Sequence, residues 1–123
     1  MKGAIVKVLS VGANQELVWL RNFVLQSAGF HVISTTNDTD ALASIKQGEF
    51  GVLLMCYSLV RAIRQELAKA VREFCPGSRI ILITNEPLEK PEFADSFVYG
   101  MEGPEALIEA VSNAAKMSQV AEA

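Results

Sequence analysis

The sequence predicts an α/β domain in three layers, a parallel sheet covered by helices on both faces. Three observations carry that prediction. Short apolar runs alternate along the chain with longer stretches of helical period, the mark of strand–helix–strand units. The central runs are apolar throughout instead of alternating with polar residues, as strands buried on both faces are. Gly or Pro punctuates most junctions. The chain has 123 residues, 50% apolar and 20% charged, a balance that suits one compact unit. Residues 1–123 are read as a single domain with its core over about 4–115.

Ile5 to Val11 is the first strand, apolar and β-branched, ended by Gly12. Residues 15 to 28 change period. Leu17, Leu20, Val24 and Ala28 recur three and four apart, which places them on one inward stripe of a helix that Gly29 ends. Residues 30 to 36 form the second strand. Asn37 or Asp38 then caps the helix DTDALASIKQ, and Gly48 closes it. Val52 to Met55 is the third and most apolar strand. A helix from Leu59 to Phe74 follows, with Ile63, Leu67, Ala70, Val71 and Phe74 on one face, until Pro76 stops it. RIILIT, 79 to 84, is the fourth strand. Pro87 and Pro91 leave room for at most one short helical turn in residues 85 to 95. SFVY, 96 to 99, is the fifth strand, and Gly103 and Pro104 open a last helix with Leu107, Ala110, Val111 and Ala114 inward. The final MSQVAEA is expected to fray.

Composition narrows the function. The net charge is −3 and the 11 Lys and Arg residues are scattered, so no basic patch speaks for nucleic acid. No apolar stretch approaches the ~20 residues that span a bilayer, and MKGAIVKVLSVG lacks the apolar core and cleavage end of a signal peptide. Two cysteines and one histidine make neither a disulfide framework nor a zinc ligand set. A cytoplasmic domain without cofactor or metal is expected.

In an open α/β sheet the site lies beyond the carboxyl ends of the strands. The residues there are Gly12, Ala13 and Asn14 after the first strand, Cys56, Tyr57 and Ser58 after the third, and Thr84, Asn85 and Glu86 after the fourth. Cys56 ends the apolar run GVLLMCYSLV. A buried cysteine behaves as a small hydrophobe. A redox or nucleophilic role needs a nearby cation or helix N-terminus to lower its pKa, and the sequence places no Lys or His beside it. Cys75 stands at the far end of the third helix, where it cannot bridge Cys56. SVGAN, with one glycine, is no phosphate-cradling loop. Trp19 falls roughly 130° from the centre of the Leu17–Leu20–Val24 stripe, at about 100° per residue, which makes it a candidate contact anchor.

KVLSVGANQELVWLRNFVLQSAGFHV, DALASIKQGEFGVLLMC, PGSRIILIT and GPEALIEAV stand in the order and spacing of a response-regulator receiver domain. The chain resembles that CheY-like family over nearly its whole length. The resemblance implies a flavodoxin-like fold with strand order 2-1-3-4-5 and a place in bacterial two-component signalling or phosphorelay; Pro87 and Pro91 leave the family's fourth helix truncated here. In such domains a carboxylate pair after the first strand holds magnesium, an aspartate at the end of the third strand takes the phosphoryl group, and a hydroxyl and a lysine answer it. Carried over, the pair falls on Gly12 and Ala13, the phosphoacceptor on Cys56, the hydroxyl on Thr84 and the lysine on Gly100. Only Thr84 is of the matching type; Asn14 offers one neutral oxygen beside the missing pair. The resemblance therefore implies a degenerate, stand-alone pseudo-receiver, not an enzyme, that acts by binding a signalling protein. Three alternatives stay open: a weak phosphorelay site, a small ligand or nucleotide in the strand-end crevice, and a thiol sensor at Cys56.

Overall fold

A computed structural model describes residues 7–48, 50–85 and 93–122 of the chain. The elements run β1 (Lys7–Val11), α1 (Gln15–Ser27), β2 (His31–Thr35), α2 (Asp38–Gln47), β3 (Val52–Cys56), α3 (Arg61–Phe74), β4 (Arg79–Thr84), β5 (Ser96–Tyr99), a 3-10 turn (Gly100–Glu102) and α4 (Pro104–Glu122). The five strands form one parallel sheet of order β2-β1-β3-β4-β5. The short helical turn expected within residues 85 to 95 falls largely on residues 86–92, which are outside the described residues.

Period-two alternation splits the apolar strand residues between two cores. Leu9, Leu53, Met55, Ile80 and Leu82 face Ala41 and Ile45 of α2 and Leu67 and Val71 of α3. Val8, Val52, Leu54, Ile81 and Ile83 face Leu25 of α1 and Leu107 and Val111 of α4. All five residues of β3 are buried, which explains why its sequence shows no polar alternation.

Local chemistry sets the helix ends. Asn14 and Asn37 cap α1 and α2, each side-chain oxygen accepting from a backbone N–H three residues on, Leu17 N and Asp40 N, both at 3.1 Å. Gly48 ends α2 in the left-handed region at φ 70°.

Four expectations need correction. The inward face of α1 is Val18 and Leu25, with Arg21 and Asn22 half-buried between them, while Leu20 and Ala28 are exposed. Those four occupy positions i, i+3, i+4 and i+7, and the two polar members hid the stripe. Phe74 is also outside the core, its ring lying under the Lys46 ammonium at 5.9 Å. The third helix starts at Arg61, because Leu59 N donates to Cys56 O across a turn before it. The last helix does not stop before Met117 but runs to Glu122, with Ala114, Ala115 and Ser118 buried.

Candidate functional site at the strand ends

β1, β3 and β4 deliver Gly12, Cys56 and Thr84 to the same end of the sheet. All three are buried, Cys56 at 1% and Thr84 at 2% exposure. There is no room for a side chain at position 12. A Cβ there would lie 2.9 Å from Val18 Cγ2 and 3.0 Å from Cys56 Cβ, with Ser58 Oγ at 3.4 Å. Val18 of α1, Cys56 of β3 and Ser58 of the following turn thus meet over the bare backbone of Gly12.

Hydrogen bonds hold that arrangement. Ala13 N donates to Ser58 Oγ at 2.9 Å, and Ser58 N approaches Cys56 Sγ at 3.4 Å. Ser58 therefore ties the loop after β1 to the turn after β3, a role that reading the sequence position by position did not reveal. Asn14 sits beside this group, but its side-chain oxygen is taken by the start of α1. Gly100 opens the 3-10 turn after β5, and a Cβ on it would meet Asn85 Oδ1 at 3.1 Å and Tyr57 Cε2 at 3.8 Å. Asn85 is thus the tight neighbour of position 100, while Tyr57 stands at ordinary van der Waals distance.

The donor set is a poor match for magnesium, which takes hard oxygen ligands and above all carboxylates. Gly12 and Ala13 carry no side-chain oxygen, and a thiol is a soft ligand. Among the described residues no cluster of three His, Cys, Asp or Glu could hold a metal ion. Both cysteines are free. Cys75 donates to Ile45 O at 3.0 Å, and burial pushes its thiol pKa up, which keeps it neutral and slow to react. Trp19 is far from this group in character: it is 73% exposed on α1 and stands with two further exposed apolar residues, Leu20 at 59% and Phe23 at 68%. Phe23 carried no distinguishing mark in the sequence, and Leu20 had been assigned to the core.

Solved structures share this arrangement of strands and helices. A CheY-like response regulator receiver domain protein from Methanospirillum hungatei superposes with a TM-score of 0.81 at 18% identity, covering 94% of this chain and 98% of its own. The chemotaxis protein CheY4 of Vibrio cholerae gives a TM-score of 0.77 at 24% identity, covering 90% and 99%. The response regulator TrrA of Thermotoga maritima, solved in complex with Mg2+–BeF, gives 0.78 at 20%, covering 89% and 99%. This chain has the CheY-like receiver fold. No protein-family profile and no curated protein matches it by sequence. At these identities the likeness concerns the fold, so the chemistry must be argued from the residues. Among the described residues, no helix of this receiver fold is long and apolar enough to cross a membrane.

Proposed function

We propose that the chain is a single receiver-like signalling domain that takes no phosphoryl group, performs no catalysis, and passes its signal by binding another protein of a two-component or related pathway. The observation that carries this reading is the closure of position 12. Phosphoryl transfer gains its rate from positioning and from charge neutralisation by metal and cation. Here the place of the metal-holding carboxylates is a glycine enclosed by Val18, Cys56 and Ser58, and the place of the lysine is a glycine facing Asn85. Gly12, Ala13, Asn14, Cys56, Thr84 and Gly100 are accordingly read as a former phosphorylation pocket that side chains have filled. A cysteine at 1% exposure, with no cation in contact with it among the described residues, gives a thiol sensor no support.

Amide NMR of the reduced protein, titrated with magnesium and then with beryllofluoride, tests this directly. The spectrum is expected to stay unchanged. Saturable shifts at Ala13, Cys56, Thr84 and Gly100 would show a working phosphate switch and end the reading.

The proposed contact surface is the outer face of α1. Large apolar side chains grouped in the open mark interaction sites more often than single ones do, and tryptophan is enriched among residues that dominate binding energy. Trp19→Ala is expected to change folding stability by less than about 0.5 kcal/mol and to weaken binding of the cognate partner roughly 30-fold or more. Unchanged affinity, measured by calorimetry on the isolated pair, would move the contact elsewhere.

A further inference from the structure

In the apolar stripe Leu17, Leu20 and Val24, only Val24 packs against a core, the one shared by α1 and α4. The stripe forms one wall of a cleft of about 350 Å³ between α1 and α4, with Val98 of β5 and Leu107 of α4 among the residues opposite. That volume lies within the roughly 300–1,000 Å³ typical of small-molecule pockets, which are apolar with a few polar groups that fix orientation. This cleft includes Gly100 and is distinct from the closed group at Gly12, which Val18, Cys56 and Ser58 make.

Arg21 lines the same cleft; its Nη1 is enclosed by protein with no hydrogen-bond partner, so an acceptor entering the cleft reaches that nitrogen only when the side chain turns. An enclosed guanidinium nitrogen without an acceptor is costly. Such a group is retained at least cost when an acceptor arrives from elsewhere, and the planar fork of arginine matches a carboxylate in two parallel hydrogen bonds. We propose that the α1–α4 cleft binds a small apolar carboxylate, its hydrocarbon body against Leu17, Leu20 and Val24 and its carboxylate on the Arg21 guanidinium. A nucleotide would ask for several cations or backbone donors around its phosphates, whereas this cleft offers one guanidinium on apolar walls. An apolar side chain from a protein partner would use the walls but leave Arg21 without its acceptor.

The test uses octanoate and the neutral 1-octanol as probes, titrated into the full chain and followed by amide NMR. Octanoate is expected to shift Leu17, Arg21, Val24, Val98 and Leu107 saturably and to bind more tightly than octanol. Arg21→Met should lower octanoate affinity about tenfold, the size of one charged hydrogen bond, while octanol affinity stays the same. Arg21→Lys, which keeps the charge, should fall between the two and serves if Arg21→Met folds poorly. Absence of saturable shifts at these amides overturns the proposal and leaves the cleft to a partner's side chain. Equal affinity for octanoate and octanol, or octanoate affinity unmoved by Arg21→Met, overturns it as well. None of these outcomes depends on whether the Gly12 group responds to beryllofluoride.

Discussion

Gly12→Asp, the substitution that would place a carboxylate at the end of β1, is expected to cost at least about 3 kcal/mol of folding stability and to confer no magnesium binding. The Cβ alone would fall 2.9 Å from Val18 Cγ2 and 3.0 Å from Cys56 Cβ. Neither neighbour is the free end of a long side chain: Val18 is β-branched with restricted χ1, and the Cys56 atom is a Cβ fixed to the strand backbone. Overpacking of this kind costs ~1–3 kcal/mol. The carboxylate would add the penalty of a charge enclosed without a cation. Gly12→Ala separates the two contributions, with an expected loss of about 1–3 kcal/mol from packing alone. Urea denaturation of both variants gives the numbers. A Gly12→Asp protein as stable as the wild type would mean that Val18 and Cys56 can withdraw, and that the site is closed only by habit of packing. Pairing Gly12→Asp with Val18→Ala should recover part of the loss, because the nearest obstacle is then removed.

The same cluster shows how far the sequence could be read. That Gly12, Ala13, Cys56 and Gly100 carry neither a carboxylate nor an ammonium was visible as plain residue identities. What filled the space was not. Val18 closes over Gly12 from a helix whose buried face was misassigned, since Arg21 and Asn22 interrupt the apolar repeat on that face. The more regular repeat, Leu17–Leu20–Val24, was real but lines a cleft, with Val24 alone also packed against the core. Periodicity reports that a stripe exists; which element covers it is a tertiary fact. Strands were legible for the opposite reason. A parallel strand covered on both faces is apolar over nearly its whole length, so the runs VLLM and IILI could be placed without knowing any neighbour. Helix ends were legible where glycine or asparagine supplies the chemistry of a cap, as at Asn37 and Gly48. The start of α3, where Val60 makes no side-chain cap, was placed two residues early.

Asp95→Ala is expected to cost about 3 kcal/mol, nearly all of it through β5. Asp95 precedes the strand and drew no notice as a sequence feature. Its backbone N–H donates to Ile80 O at 2.8 Å, and its carboxylate accepts from Ile80 N at 2.7 Å. The side chain thus supplies the acceptor that a preceding strand residue would otherwise offer, and closes the β4–β5 ladder at its start. Arg72 Nη2 at 3.0 Å and Arg79 Nη1 at 3.5 Å hold the other carboxylate oxygen, and Arg72 also donates to Phe93 O. Removal strands the N–H of Ile80, a fully buried residue, at ~1–3 kcal/mol, and loses a hydrogen bond to a charged group worth ~1.5–3 kcal/mol, contributions that overlap and do not simply add. The two ion pairs are partly exposed and contribute little on their own. Asp95→Asn keeps an oxygen for Ile80 N and should lose only about 1 kcal/mol. Hydrogen exchange distinguishes this from a general weakening: in Asp95→Ala the amides of Phe97 to Tyr99 should lose protection before those of β1 and β3. Uniform loss across the sheet would place the role of Asp95 in global stability, whereas local loss makes it the latch of the strand that carries Val98 and Gly100 to the α1–α4 cleft.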